Sequence, residues 1–191
     1  MERRRGVGTT VLAPKVGHGL DRLAGLGEAL AGDGCVHNRV LTAEQVSPAP
    51  ADIADQLQID AAAGAVHLRR LRFLDDVPLS VDVSYLPVDI GTALLQQDLA
   101  NRDVFELIEQ TTGARLGSAD VTVHAAIATS EIAALLGVGQ RTAIFTIERL
   151  TRLRGGRPVD TEVLHVRADR FALHTTLHRS APASLREGEP R

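Results

Sequence analysis

"LRRLRFLDDVPLSVDVSYLP", residues 68–87, decides the fold. "VHLRRLRFL" and "LSVDVSYL" both alternate with period two around "DDVP", which is a hairpin signal. Asp75 and Asp76 are read as turn formers. Successive strand residues point to opposite faces. Arg70 and Arg72 therefore share one face with Ser80, Asp82 and Ser84 of the return strand. Leu71, Phe73, Val81, Val83 and Tyr85 share the other face and are expected to be core. Arg70, Arg72, Asp82 and Ser84 are left as one polar patch. Two same-face arginines about 7 Å apart could clamp an anion through forked donors, and Asp82 could orient them or receive hydroxyls. That chemistry suits a sugar, a phosphosugar or an organic acid. The bland alternative is a solvated hairpin face whose ion pairs contribute little.

Outward from the hairpin, "LDRLAGLGEALAGDG" places Leu20, Leu23, Leu26 and Leu30 at helical spacing, with Gly32 and Gly34 stopping the run. "VHNRVLTAEQV" reads as a strand and "SPAPADIADQLQID" as a turn and short helix. "IGTALLQQDLANRDVFELIEQTTG" is helical in one or two pieces, with Gly113 as C-cap. "ARLGSADVTVHAAIA" alternates as a strand, and Thr129 is the N-cap signal of the helix in "TSEIAALLGV". "AIFTIERLTRLRGGRPVDTEVLHVRADRFAL" is a second hairpin turning at Gly155-Gly156. Strands dominate with helices between them, so the class is α+β with a largely antiparallel sheet.

The two hairpins resemble each other. "DIADQLQIDAAAGAVHLRRL" from residue 52 aligns with "EIAALLGVGQRTAIFTIERL" from residue 131, a spacing of 79 positions. Ile53 meets Ile132, Leu57 meets Leu136, Arg70 meets Arg149 and Leu71 meets Leu150. After one inserted residue, Pro78 meets Pro158 and Asp82 meets Glu162. A duplicated helix–hairpin unit implies a pseudo-symmetric sheet with equivalent polar positions around one cleft. Arg149, Thr151, Glu162 and His165 are the second unit's possible contributions.

Length and composition narrow the function. The 191 residues suit one domain; 44% are apolar but only 3% aromatic, so Leu, Val, Ile and Ala must fill the core. A net charge of −3 argues against a chain that binds nucleic acid along its whole surface. A single Cys, Cys35, excludes an internal disulfide and a Cys-rich zinc site. His174 and His178 are spaced i, i+4, but no metal site or cofactor is expected. "GVGTTVLAPKVGHGL" is too broken for a signal peptide, and no apolar run has membrane-spanning length, so a cytoplasmic protein is expected. Neither "GVG" (residues 6–8 and 137–139) sits in a nucleotide-binding fingerprint. Nothing in the chain marks a catalytic residue.

The hairpin resembles the signature of the UTRA domain, the effector-binding domain of HutC-type regulators in the GntR family of bacterial transcription factors. Arg70, Arg72, Pro78, Asp82, Tyr85 and Pro87 fall on that pattern, and Asp169-Arg170-Phe171 matches its closing triplet. The resemblance spans about residues 20–179, and 180–191 read as a disordered tail. Residues 1–19 look like the wing and linker of a GntR winged helix, with Arg3, Arg4 and Arg5 as its DNA-contacting remnant. DNA binding would then need the rest of that winged helix. The resemblance implies a chorismate-lyase-like fold, a homodimer, no catalysis, and a small-molecule effector held by Arg70, Arg72, Asp82, Ser84, Arg149 and Glu162. Phosphosugar-sensing relatives carry Ser or Thr where this chain has Gly25 and Gly27; only backbone donors remain there to meet an anion. A chorismate-lyase-like enzyme acting on a small organic acid, and a ligand-free dimerisation partner, are the alternative readings.

Overall fold

The structure, a computed structural model, describes residues 15–178 and, as backbone only, Glu2–Arg3 and Thr9–Thr10. Those two dipeptides form strands β1 (Glu2–Arg3) and β2 (Thr9–Thr10), paired antiparallel. Arg4, Arg5, the side chain of Arg3 and the tail from residue 180 lie outside the described residues. The remaining elements are β3 (Val16–Gly19), α1 (Leu26–Ala29), β4 (Val36–Val46), α2 (Ala51–Leu57), β5 (Ala65–Leu74), β6 (Val77–Pro87), α3 (Val88–Leu94) and α4 (Val104–Thr112). They continue with β7 (Leu116–Ile127), α5 (Ser130–Leu136), β8 (Ala143–Leu153), β9 (Pro158–Arg167) and β10 (Phe171–His174).

Six strands form one antiparallel sheet in the order β4-β5-β6-β9-β8-β7. The order reads as two copies of strand–helix–hairpin meeting at the β6–β9 seam. Helices α2 and α5 begin 79 positions apart, and both end on a left-handed residue, Gln58 and Gly137. The repeat seen in the sequence is thus structural, and it extends to β4 and β7, whose sequences do not resemble each other. The β5–β6 turn holds Asp75 and Asp76 at φ 50° and 61°. Positive φ at both central residues matches the right-handed twist of a two-residue hairpin. Thr129 accepts the Ile132 N–H at 3.2 Å, and Gly113 closes α4 at φ 65°, as expected from the sequence. The long helical segment splits in two, with residues 95–103 as a loop between α3 and α4.

Both sheet faces are covered. Leu68, Leu86 and Val159 pack under α3 and α4, while Leu164, Val166 and Ile147 pack under α1 and Phe171. On the opposite face Leu71, Val81 and Ile144 lie against α5, and Ala65 lies against α2. The hairpin's polar patch therefore sits beneath elements of the chain, not in solvent. Of the expected core face, Leu71 and Val81 are buried, but Phe73, Val83 and Tyr85 are only half-buried, because α2 and α5 leave a gap between them. The helix expected over 20–30 shrinks to Leu26–Ala29. Gly25 and Gly27 weaken it by about 1 kcal/mol each. The Ala24 carbonyl, which a longer helix would spend on Glu28, instead accepts from Arg149.

Gly91 of α3 lies so close to β5 that a Cβ there would stand 2.5 Å from the Cβ of Val66. Gly91→Ala should destabilise the fold by about 1–3 kcal/mol through overpacking. A urea midpoint equal to the parent's would contradict this contact.

Candidate functional site

The register puts four polar residues of each hairpin into a square. Arg70 faces Asp82 and Arg72 faces Ser80 across β5–β6. Arg149 faces Glu162 and Thr151 faces Asp160 across β8–β9. The repeat relates the squares residue by residue. Ser84 joins them by facing Glu162 across the seam. All nine side chains are buried; Arg70 and Arg72 are each 2% exposed and Asp82 1%, which excludes the solvated-face reading.

The first square is closed. Arg72 donates from Nε and Nη2 to Asp82 Oδ2 at 3.0 and 2.8 Å, and Ser80 Oγ donates to Oδ1 at 2.6 Å. Burial pushes the Asp82 carboxyl up, but the guanidiniums of Arg72 and Arg70 outweigh it and hold the group below its ordinary value. Burial likewise opposes the charge of Arg72, and the carboxylates of Asp82 and Asp103 more than offset this. Arg70 is shifted down, by burial and then by neighbouring Arg72. Its Nη1 reaches the carbonyls of Leu99 and Arg102 at 3.4 and 3.3 Å.

The second square is open. Arg149 pairs with Glu162, donates to the Ala24 carbonyl at 3.1 Å, and lies 4.4 Å over the Phe105 ring. Both oxygens of Asp160, Thr151 Oγ1 and Arg149 Nε are buried without a partner. Burial, then the nearby Glu162 carboxylate, pushes Asp160 well above the usual carboxylate range. Equivalent arginines thus grip different loops. Arg70 holds the loop before α4, and Arg149 holds the segment before α1.

Beside Arg72, between α1 and α4, opens a cleft of about 730 Å³ lined by Gly27, Asn38, Arg72, Arg102, Asp103 and Phe105 among others. Of the residues expected from the sequence, only Arg72 and Gly27 border it. Arg70, Asp82 and Ser84 lie behind, and Arg149 borders a separate apolar hollow of about 100 Å³ with Leu26 and Phe171. Glu162 borders another, with Gln56 and Tyr85. His165 is corrected: its odd position on β9 turns it to the opposite face, beside Thr146 and Arg69, in a hollow away from Arg72.

Gly25 and Gly27 lie against a carboxylate of the chain itself. Their surroundings do not stand open for an external anion. The Gly27 N–H donates to Asp103 Oδ2 at 3.1 Å. A Cβ at Gly25 would stand 2.1 Å from Asp103 Oδ1, and one at Gly27 2.9 Å from Oδ2 and 3.1 Å from Arg72 Nη1. Asp103 also caps α4 by accepting the Phe105 N–H at 2.9 Å. Asp103, Phe105, Asn38 and Asp160 were not singled out from the sequence. Asp103-x-x-Glu106 ahead of an apolar run is a capping signal that marks the helix start. The repeat marks Asp160 as the counterpart of Ser80.

A pseudo-symmetric sheet with a polar face roofed by loops and helices is the architecture of an effector-binding domain of the chorismate-lyase-like kind. Residues 34–172 match the UTRA domain, and the chain belongs to that family. An HTH-type transcriptional regulator of Mycobacterium tuberculosis is 28% identical over 185 residues, which is 95% of this chain and 68% of that protein. The crystal structure of PhnF from Mycobacterium smegmatis superposes with a TM-score of 0.81 at 23% identity, over 93% of this chain and 78% of that one. The ligand-binding domain of a putative GntR-family regulator from Bordetella bronchiseptica does so at 0.69 and 26% identity, over 75% and 92%. The chain is thus homologous to the effector-binding domains of GntR-family regulators, which are ligand-sensing modules. Among the described residues, no helix is long and apolar enough to cross a membrane.

Removing one partner of a buried ion pair strands the other charge. Arg72→Ala should therefore cost about 3–5 kcal/mol, and replacing Arg72 and Asp82 together by Met and Leu should recover most of it. Chemical denaturation of the three variants checks this; a double variant as weak as the single one would contradict it. Asp160 predicts a pH effect. A carboxyl whose pKa folding raises binds its proton more tightly when folded, so its contribution favours folding in acid and is lost as pH rises. Asn mimics the protonated form, so Asp160→Asn should melt higher than the parent at pH 7–8. The gap should narrow as pH falls from the raised value of Asp160 toward the ordinary carboxylate range. A gap independent of pH would count against the assignment.

Proposed function

We propose that this chain is the effector sensor of a GntR/HutC-type transcription regulator and takes a small polar metabolite into the cleft between α1 and α4. One observation carries the reading. Buried guanidiniums of the sheet grip both segments that wall this cleft, and Arg72 reaches its surface. Arg72, held rigid by Asp82, is the recognition donor, and Phe105 offers an apolar wall. Arg70, Ser84, Arg149 and Glu162 support it from behind, and the pairing of like chains into a homodimer transmits the change. The loop before α4 is the element whose position an effector alters. Contact with DNA belongs to a winged helix on the N-terminal side, for which Arg3, Arg4 and Arg5 would serve as wing residues. The relatives are named as transcriptional regulators, and the site needs no catalytic group to perform this task.

A thermal-shift screen of sugars, amino sugars, phosphosugars and organic acids tests the reading. Arg72→Lys keeps a positive charge against Asp82 but loses the planar fork. Losing one charge-assisted hydrogen bond of about 1.5–3 kcal/mol should weaken the hit by roughly tenfold or more. A ligand held equally well by parent and variant would place the site elsewhere.

A further inference from the structure

Resting on the sensor reading, we propose that Asp103 sets the charge of the effector: the site takes a neutral polyhydroxylated or an amine-bearing compound, and turns away one that brings a phosphate or carboxylate to Arg72. Three observations converge on this. The space between Gly25, Gly27 and Arg72, where an external anion would find a backbone donor and a guanidinium together, is filled by the chain's own carboxylate. Asp103 is anchored there twice, by the Gly27 and Phe105 N–H groups, so it is a fixed wall of the site.

The charges around the cleft are already matched. Among the described residues lining it, Arg72 pairs with Asp82, Arg102 with Glu106 and Arg115 with Glu109. Behind it Arg149 pairs with Glu162, while Arg70 lies near enough to Asp82, Glu162 and Asp103 to feel all three. An incoming anion meets no cation that lacks a carboxylate neighbour, and it must also approach Asp103 itself. Paired cations offer an incoming anion little net attraction to offset its desolvation, and the Asp103 carboxylate repels it.

The unsatisfied groups ask for donors. Asn38 borders the cleft; its Nδ2 donates to the Ala100 carbonyl at 3.0 Å, which fixes Oδ1 as the acceptor. That Oδ1 is buried and has no partner, and the residue is only 7% exposed. Deeper in the same polar layer the Asp160 carboxyl is also without a partner. Hydroxyl or ammonium groups supply what the Asn38 oxygen lacks; ionised phosphate oxygens do not.

The probe is inorganic phosphate, titrated against sodium chloride at matched ionic strength and followed by thermal shift and calorimetry on the whole chain. The parent should show no saturable response. Asp103→Ser keeps a helix-capping hydroxyl, clears the carboxylate and should acquire saturable phosphate binding in the millimolar range. Adding Arg72→Lys should weaken it by roughly tenfold or more. If Asp103→Ser folds poorly, Asp103→Asn retains both cap and size and should gain the same response more weakly. A parent that already binds phosphate through Arg72 would overturn the proposal, and so would silence in both Asp103 variants. The metabolite screen separates this from the sensor reading. An Arg72-dependent hit bearing a phosphate or carboxylate leaves the sensor standing and refutes the role of Asp103. A parent with no Arg72-dependent hit refutes the sensor, while the phosphate titration still decides what Asp103 excludes.

Discussion

The structure turns on one requirement: a guanidinium taken out of water must find a carboxylate and further acceptors at once. Ionic groups moved into a low-dielectric interior lose several kcal/mol of hydration each. Strand alternation brings Arg70, Arg72 and Arg149 to the same face as Asp82 and Glu162: Arg149 meets Glu162 across one ladder step, Arg72 reaches Asp82 on the diagonal, and Arg70 turns to the carbonyls of Leu99 and Arg102. The hydrophobic cover of Leu26, Leu30, Val104 and Leu107 can then close over the charges. Guanidiniums have donors to spare after pairing, and these go to loop carbonyls. The pair that solves the burial problem therefore also places the cleft walls.

Duplication built the sheet, and divergence built the site. The two squares share backbone register and an arginine facing a carboxylate, Arg70 with Asp82 and Arg149 with Glu162, but differ in kind at the other two positions. Where the first has Arg72 and Ser80, completing a network on Asp82, the second has Thr151 and Asp160, which do not satisfy each other. A fully satisfied network rigidifies its surroundings, whereas orphaned polar atoms in a dry layer carry a desolvation cost of about 1–3 kcal/mol. One half of the pseudo-symmetric sheet is thereby a stable floor and the other holds unmet hydrogen-bonding capacity.

Much of this was legible in the sequence, because it obeys period-two alternation. The hairpin faces, the constant spacing between units and the caps at Thr129 and Gly113 all follow from residue type and position. What was not legible is non-local. Nothing near Gly25 announces that a carboxylate from position 103 fills its vacant side, since that contact spans 76 to 78 residues of chain and depends on how α4 is set down. His165, grouped with Arg149, Thr151 and Glu162 as a possible contribution of the second hairpin, stands three strand steps from Glu162, and an odd number of steps moves a side chain to the other face. The burial of the arginines was hidden for a related reason. A polar strand face reads as solvent-facing until the elements that roof it, here two short helices and a loop, are known.

The bonds differ in strength in a way that bears on signalling. Arg72 holds Asp82 at 2.8–3.0 Å, while Arg70 holds the carbonyls of Leu99 and Arg102 at 3.3–3.4 Å, near the limit for a hydrogen bond. The floor is therefore costly to disturb, and the loop before α4 is tied more loosely to Arg70 than to Asn38, whose N–H and Nδ2 both donate to the Ala100 carbonyl, at 2.8 and 3.0 Å. A ligand can move an equilibrium only by binding its two states unequally. A compound touching Asn38, Arg72 and Asp103 contacts two elements of the floor and one of the loop, so its contacts change when the loop moves. Asn38 itself bonds the loop through Ala100 and keeps a buried acceptor without a partner. On the sensor reading, the buried Arg72–Asp82 pair would fix where an effector sits, and the longer carbonyl contacts of Arg70 beside it would be the ones the effector displaces.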